Sequence, residues 1–145
     1  MKIAVGIPAF NEQKNIKRLI LQLQSITDTI IVCNDGSEDS TGSLAKKLGA
    51  FVIEHPKNLG YGASIRSIFH KAKEMNCDVL VTFVADGQHR IEDIKTVLQP
   101  IKNKEADIVI GSRFLEKNEE VPGYRKIGIK AITKLTNAYS GKELT

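Results

Sequence analysis

Four apolar runs of the sequence are each followed directly by residues that can bind a ligand or a cation. These polar segments are Pro8–Glu12, Asn34–Ser37, Asp86–His89 and Gly111–Phe114. Each one alone is also compatible with a turn or a helix cap, and Asn11, for example, could cap the first helix. If the runs are parallel strands, however, their carboxyl ends share one edge of a sheet, where ligands bind in open α/β folds. The sequence therefore predicts a single binding site assembled from these segments.

The elements that would position these segments alternate along the chain. Strands are predicted at Ile3–Ile7, Thr29–Cys33, Ala50–Ile53, Val79–Val84 and Asp107–Ile110. Helices are predicted at Gln13–Ile26, Ser40–Leu48, Gly60–Met75 and Ile91–Lys102. Continuous apolar strands separated by helices of this length are typical of parallel βαβ units covered on both faces. We therefore expect an α/β, three-layer, Rossmann-like fold with a mainly parallel central sheet.

The composition favours an ordinary globular domain. Hydrophobic residues make up 41% and charged residues 26% of 145 residues, and the net charge is +4. Basic residues mostly alternate with acidic ones, so we expect no nucleic-acid partner. Cys33 and Cys77 lie far apart in apolar runs and are expected to be buried free thiols in a reducing compartment. No signal peptide or membrane-spanning run is recognisable.

Several motifs resemble those of family-2 glycosyltransferases with the GT-A fold. Pro8-Ala9-Phe10-Asn11-Glu12 resembles the family's P-x-[FY]-N-E, and Asn34-Asp35-Gly36-Ser37 with Asp39 and Thr41 resembles D-D-G-S-x-D-x-T. Asn58, Gly60, Gly62 and Ala63 match N-x-G-x-[GA]-A, and Gly111-Ser112-Arg113 matches G-S-R. Val84–His89 is similar to the D-A-D-x-Q-H block of the polyprenyl-phosphate mannosyl- and glucosyltransferases. The pattern does not specify the base or the sugar.

The resemblance implies a nucleotide-sugar site at the sheet edge. The donor-binding residues would be Pro8, Ala9, Glu12, Asp35, Gly60, Gly62, Ala85 and Asp86. Asp35 could accept a hydrogen bond from a ring N–H of uracil or guanine. Gly60 and Gly62 would let the backbone approach the nucleoside, because no Cβ intervenes. A dinucleotide-binding fingerprint is a poor alternative, since these glycines do not follow the first strand.

The resemblance also implies Mg²⁺ or Mn²⁺, which would stabilise the departing diphosphate. Asp86 would be the main ligand and a catalytic residue, with Gln88 as a second oxygen donor. The family's first metal-loop aspartate is replaced by Val84, so the metal site is expected to be weak. His89 is interpreted as a supporting residue, and His55 and His70 as surface or packing residues.

The implied activity is inverting transfer of a hexose from a UDP- or GDP-sugar to polyprenyl (dolichyl) phosphate. Arg113, also a catalytic candidate, would hold the acceptor phosphate or the donor diphosphate, and Arg125 is a second candidate for the acceptor phosphate. A polyprenyl phosphate is already an anion, so no general base is required. A saccharide acceptor and a non-catalytic nucleotide-sugar-binding domain are the alternatives.

The expected domain organisation is a donor-binding core at 1–115 followed by the start of an acceptor-side segment at 116–145. A helix predicted near Tyr124–Tyr139 carries Lys126, Lys130 and Lys134 on one face. This basic face is either solvated or rests on anionic headgroups at the cytoplasmic face of a membrane. The acceptor segment is expected to be truncated, so the chain should bind donor but transfer little sugar.

Overall fold

Helices and strands alternate throughout the part of the chain that the structure describes. The computed structural model describes residues 1–85 and 90–111. Its elements are β1 (Ile3–Ala9), α1 (Gln13–Leu23), β2 (Thr29–Asn34), α2 (Thr41–Lys47), β3 (Phe51–Glu54), α3 (Tyr61–Glu74), β4 (Val79–Thr82) and α4 (Asp93–Lys102). One compact unit comprises Met1–Thr96, and a second begins at Val97. The order confirms the predicted succession of βαβ units.

The four strands form one parallel sheet in the order β3-β2-β1-β4. In its register Ala9 of β1 lies opposite Asn34 of β2, which in turn lies opposite Glu54 of β3. The carboxyl ends of these three strands therefore meet at one edge. The loops that follow β1, β2 and β3 leave the sheet from this edge, as the parallel arrangement predicts.

Each face of the sheet is covered by helices. On one face, Ile68 and Ala72 of α3 pack with Ala4, Ile31 and Cys33. On the opposite face, Gly42 of α2 lies against the side chain of Asn34, and α2 contacts α1. Successive side chains of a strand point to opposite faces of the sheet. Cys33 therefore packs with α3, whereas its neighbour Asn34 contacts α2 on the other face. The predicted three-layer α/β fold is confirmed.

Helix α1 is amphipathic. Its buried residues are those expected from the helical spacing, namely Ile16, Leu19, Ile20 and Leu23. Repeats of three and four residues place them on one stripe, and burying this stripe stabilises the helix more than its intrinsic propensity does. The helix holds the loop that precedes it at the sheet edge.

Three sequence predictions are wrong in detail. The segment Asp107–Ile110 is irregular, with Ile108 and Ile110 exposed by 81% and 84%. Apolar β-branched residues become a strand only where a neighbouring strand supplies hydrogen bonds, and no such partner exists among the described residues. Strand β4 ends at Thr82 rather than Val84. Cys33 is buried as expected, but Cys77 is only half-buried; both are free.

Candidate functional site

The loops after β1 and β2 are tied together through Asn11. The backbone N–H of Asn11 donates to Ser37 Oγ over 2.9 Å, and Glu38 N–H donates to Asn11 Oδ1 over 3.0 Å. Asn11 has φ of 55°, in the left-handed region that asparagine tolerates better than most residues. Asn11 therefore joins the two loops, and the helix-cap role open to it from the sequence is not observed, because Glu12 occupies the N-cap position of α1.

A second set of hydrogen bonds joins the same two loops, between the start of α1 and the residues around the start of α2. Glu12 N–H donates to Thr41 Oγ1 over 2.8 Å, and Gln13 N–H donates to Asp39 Oδ2 over 3.1 Å. Asp39 Oδ1 accepts hydrogen bonds from both the backbone and the hydroxyl of Thr41. Burial disfavours the charged carboxylate, yet these donors outweigh it and hold the pKa of Asp39 below its usual value. The D-x-T part of the motif is thus a structural clamp on the loops.

Asp35 lies at the end of β2 and is only 4% exposed. Its Oδ1 accepts from Leu59 N–H at 3.0 Å, and its Oδ2 accepts from Gly60 N–H at 2.8 Å. His55 Nδ1 lies 2.6 Å from the same Oδ1. Burial disfavours the charged form, yet these hydrogen bonds outweigh it and hold the pKa of Asp35 below its usual value. The carboxylate thus stays ionised and fixes the loop before α3.

His55 is part of the candidate site, which the sequence interpretation as a surface or packing residue missed. Its side chain is 9% exposed and bridges Asp35 to Ser67 Oγ, which lies 2.9 Å from Nε2. Its backbone N–H also donates to Asn34 O over 3.0 Å. The sequence signal was limited to the position of His55 just after a predicted strand; that this strand lies beside β2 is known only from the structure.

Cys33, His55 and Asp35 are arranged in a row like a nucleophile, base and orienting carboxylate. Cys33 Sγ lies 3.5 Å from His55 Nε2, but it is fully buried. Burial raises the pKa of the thiol, and nearby carboxylates raise it further, against the lowering effect of a hydrogen bond with Ser64. A reactive cysteine needs an accessible thiolate. The row therefore cannot act as a cysteine-nucleophile triad.

The glycines of the motifs have different roles. Gly36 has φ of +70°, and a Cβ there would lie 2.3 Å from the backbone carbon of Lys57, so the two loops can meet only at glycine. Gly60 also has a positive φ, of +88°, but nothing lies within 4 Å of a Cβ placed there. Gly62, in the first turn of α3, is equally open. Open space at these two positions leaves room for a ligand.

A cavity of about 410 Å³ opens beside these loops. Its lining includes Phe10, Asn34, Gly36, His55, Lys57 and Asn58. Phe10, which lines the cavity, is 46% exposed. Leu59 and Tyr61, which follow the lining residue Asn58 in the sequence, are 48% and 60% exposed. Exposed aromatic rings at a polar cavity are suited to contact the flat face of a nucleobase.

The chain after β4 returns to the same edge. Phe83 N–H donates to Gly6 O over 2.9 Å, which keeps this segment beside β1. Val84 is half-buried, and Ala85 is 3% exposed. The metal-loop residues that follow, Asp86, Gln88 and His89, lie outside the described residues. Within the ranges 1–85 and 90–111, no group of three or more His, Cys, Asp or Glu residues could hold a metal ion.

The predicted donor residues fall into two groups. The structure describes Pro8, Ala9, Glu12, Asp35, Gly60, Gly62 and Ala85, all at or just beyond strand ends or at the start of α3. Asp86 and Gln88, together with the acceptor-phosphate candidates Arg113 and Arg125 and the lysines Lys126, Lys130 and Lys134, lie outside the described residues. Glu12 is half-buried, and its Oε2 accepts from Asn15 Nδ2 over 2.9 Å. The assignment of these residues to donor binding stays a prediction.

Comparison with known proteins defines the class. A family model described as "Glycosyl transferase family 2" matches residues 4–144. The chain is 35% identical over 159 residues to the UDP-N-acetylglucosamine–dolichyl-phosphate N-acetylglucosaminyltransferase of Methanococcus voltae, covering 96% of this chain and 63% of that protein. It is 36% identical to the dolichol-phosphate mannosyltransferase of Pyrococcus furiosus, covering 88% of this chain and 38% of that protein.

The chain therefore belongs to glycosyl transferase family 2. It spans about three fifths or less of the length of these curated relatives. Among solved structures it resembles glucosyl-3-phosphoglycerate synthase of Mycobacterium tuberculosis, in complex with Mn²⁺, UDP and glucosyl-3-phosphoglycerate. The TM-score is 0.57 at 23% identity, covering 69% of this chain and 39% of that one. This similarity confirms the GT-A fold expected from the sequence.

Proposed function

We propose that this protein transfers a hexose from a UDP- or GDP-sugar to polyprenyl phosphate, with inversion at the anomeric carbon. The observation that carries the proposal is the buried, ionised carboxylate of Asp35 at the end of β2. A carboxylate accepts about four hydrogen bonds. Three are donated by His55, Leu59 and Gly60, which leaves one acceptor position, on Oδ2.

That remaining position suits the ring N–H of a nucleobase. Uracil and guanine each carry such a donor beside two carbonyls, and a buried charge-assisted hydrogen bond is stronger than a neutral one. Phe10 at the neighbouring cavity offers a ring for stacking, and the open Gly60 and Gly62 offer backbone close to the ribose. The names of the two archaeal relatives support a sugar donor and a dolichyl phosphate acceptor.

The acceptor step needs little from the described residues. A phosphate monoester is an anion at neutral pH and attacks without a general base. The ring of His55 is only 9% exposed and lies between Asp35 and Ser67, so the proposal assigns it no role as a base for the acceptor. In this proposal Arg113 and Arg125 hold the acceptor phosphate in line with the anomeric carbon, as positioning is a large part of the rate.

A divalent cation, Mg²⁺ or Mn²⁺, would supply positive charge to the departing diphosphate. The chemistry of Asp86 and Gln88 fits a hard cation, because both offer oxygen ligands. They follow Ala85 in the sequence, shortly after Phe83, whose N–H donates to Gly6 O of β1. With Val84 unable to ligate, the remaining positions would be filled by diphosphate oxygens and water.

The proposal is tested by calorimetric titration of UDP, GDP and their hexose derivatives, each with and without Mn²⁺. We expect one of the two nucleotides to bind, with an affinity that depends on Mn²⁺. Asp86→Ala should abolish the dependence on Mn²⁺, and unchanged dependence would refute the metal assignment. Absence of binding by either nucleotide would refute the donor site.

A non-catalytic nucleotide-sugar-binding domain is the second candidate, and Val84 is the observation that favours it. Transfer assays with polyprenyl phosphate and labelled UDP-glucose or GDP-mannose separate the two functions. Nucleotide binding without transfer, in the full-length protein, would favour the binding domain.

We also propose that the protein acts at the cytoplasmic face of a membrane, where a lipid phosphate would be presented to it. In the ranges that the structure describes, every helix is too short or too polar to cross a bilayer. Contact would then depend on Lys126, Lys130 and Lys134. Co-sedimentation with anionic and neutral vesicles tests this, and equal binding to both kinds of vesicle would contradict it.

A further inference from the structure

We infer that His55 is a positioning residue for nucleobase recognition, acting through Asp35. The inference rests on the proposed function, in which Asp35 accepts the ring N–H of the base. It assigns a role to a histidine outside every glycosyltransferase motif quoted above.

The hydrogen-bond pattern fixes the ring of His55. An ionised carboxylate can only accept, so Nδ1 carries the hydrogen that lies between His55 and Asp35 Oδ1, at 2.6 Å. In the neutral ring, Nε2 then accepts from the Ser67 hydroxyl at 2.9 Å. The backbone of His55 is itself held by Asn34 O at 3.0 Å. The ring therefore has one defined orientation between β2 and α3.

The consequence falls on the two oxygens of Asp35. Oδ1 receives both His55 and Leu59 N–H, so its acceptor capacity is filled. Oδ2 receives only Gly60 N–H from the protein among the described residues. His55 thereby fills the second acceptor position of Oδ1 and leaves the free position on Oδ2 for the ligand. Without His55, each oxygen would keep one backbone donor, from Leu59 and from Gly60, but Oδ1 would have a free acceptor position as well, so the ring N–H would no longer be directed to Oδ2 alone.

His55 also has a structural role that does not depend on a ligand, and the experiment must separate this role from the role in nucleobase recognition. His55 links β3 to α3, so its removal would lower stability even if nucleotide recognition did not depend on it. The two ring nitrogens contact different partners, and amide side chains can replace them one at a time. Asparagine places its amide nitrogen near the position of Nδ1, and glutamine places its amide nitrogen near the position of Nε2.

The experiment measures binding of UDP and 3-methyl-UDP, or of GDP and 1-methyl-GDP if GDP is the nucleotide that binds. The methyl analogues lack the ring N–H, so the ratio of the two dissociation constants reports on the contact with Asp35. We expect the unsubstituted chain to prefer the normal nucleotide by roughly ten- to a hundredfold, as for a hydrogen bond to a charged group.

His55→Ala and His55→Gln should reduce this preference to within about threefold, because neither donates to Asp35 Oδ1. His55→Asn should retain most of it. Ser67→Ala should lower thermal stability and leave the preference unchanged, and exposed His70→Ala should change neither. If His55→Ala does not fold, the comparison of His55→Asn with His55→Gln decides.

Equal preferences in the Asn and Gln variants would overturn the inference and leave His55 with a structural role only. In that case the donor site itself would still be supported by binding in the unsubstituted chain. If the unsubstituted chain binds neither UDP nor GDP, the proposed function fails, and the inference fails with it.

Discussion

Asn34 and Glu54, at the ends of neighbouring parallel strands, are joined by a hydrogen bond of 2.6 Å from Asn34 Nδ2 to Glu54 Oε2. The family motif that Asn34 resembles has an aspartate at this position. In this chain an aspartate would place a second carboxylate against Glu54. Asn34 is only 7% exposed, so water would screen the repulsion between the two carboxylates poorly.

Asn34→Asp should therefore lower the free energy of unfolding by about 1–3 kcal/mol at pH 7, because a donor is lost and like charges meet. Urea denaturation measures this change. Glu54→Gln in the same chain should restore most of the loss, since the glutamine amide can donate to the new carboxylate. An additive double variant would show that the two side chains do not interact.

Acid should destabilise the protein through Asp35 and Asp39. Both have a pKa below the usual value, so the unfolded state binds more protons than the folded state at acidic pH. Their contribution is fully present above the unfolded value of about 3.9 and is lost as pH falls through the lower folded value. The free energy of unfolding should thus decrease from about pH 5 downward.

Asp39→Asn isolates one of these contributions. It should lower stability at pH 7 by about 1–2 kcal/mol, through weaker hydrogen bonds to Thr41 and Gln13, and it should flatten the acid limb. Asp28→Asn, at an exposed position, serves as the matched control. An acid limb of unchanged slope in Asp39→Asn would contradict the assignment.

Much of the fold follows from local sequence signals. The stripe formed by Ile16, Leu19, Ile20 and Leu23 predicts the buried face of α1 because helical periodicity alone places these side chains together. Consecutive apolar residues likewise predict the buried parallel strands. The segment Asp107–Ile110 has the same local signal but no partner strand among the described residues, and pairing is a non-local property that composition does not encode.

The sequence predicts a site residue where a side chain that can bind a ligand also lies at the end of a predicted strand. Asp35 is a carboxylate at a strand end, and the sequence predicts a binding role for it. His55 and Glu54 belong to the site because β3 lies beside β2 in the sheet, and strand order is not encoded in the spacing of motifs. Asn11 was open to a capping role, whereas tertiary contact with Ser37 and Glu38 determines its actual one.

The glycines allow loop packing to be separated from ligand approach. Gly36→Ala should lower stability strongly, by more than about 2 kcal/mol, because its Cβ would lie within 2.6 Å of backbone atoms of Lys57 and Asn58 at a positive φ. Gly62→Ala should be neutral or stabilising by up to about 1 kcal/mol, since the position is helical and open.

Nucleotide binding by Gly62→Ala then reports on ligand contact alone. If backbone at Gly62 approaches the nucleoside, the added methyl group should weaken binding about tenfold or more while thermal stability is kept. Gly60→Ala is a less clean variant, because its φ of +88° would strain the backbone as well. Undiminished affinity in Gly62→Ala would exclude close approach of the ligand at this position.

Val84 offers a test of how the metal site is built. The residue is half-buried two positions after the end of β4, next to Phe83, which donates to Gly6 O of β1, and it stands two positions before Asp86. Val84→Asp should tighten Mn²⁺ binding in the presence of nucleotide by about 1–3 kcal/mol, if a charge-assisted contact forms.

Val84→Asn is the matched control, because it has a similar size and an oxygen donor but no charge. Calorimetric titration of Mn²⁺ into each nucleotide-saturated variant gives the comparison. Tighter Mn²⁺ binding in Val84→Asp but not in Val84→Asn would indicate that the charge of the aspartate interacts with the cation. Unchanged or weaker Mn²⁺ binding in Val84→Asp would mean that the site operates without a ligand at this position.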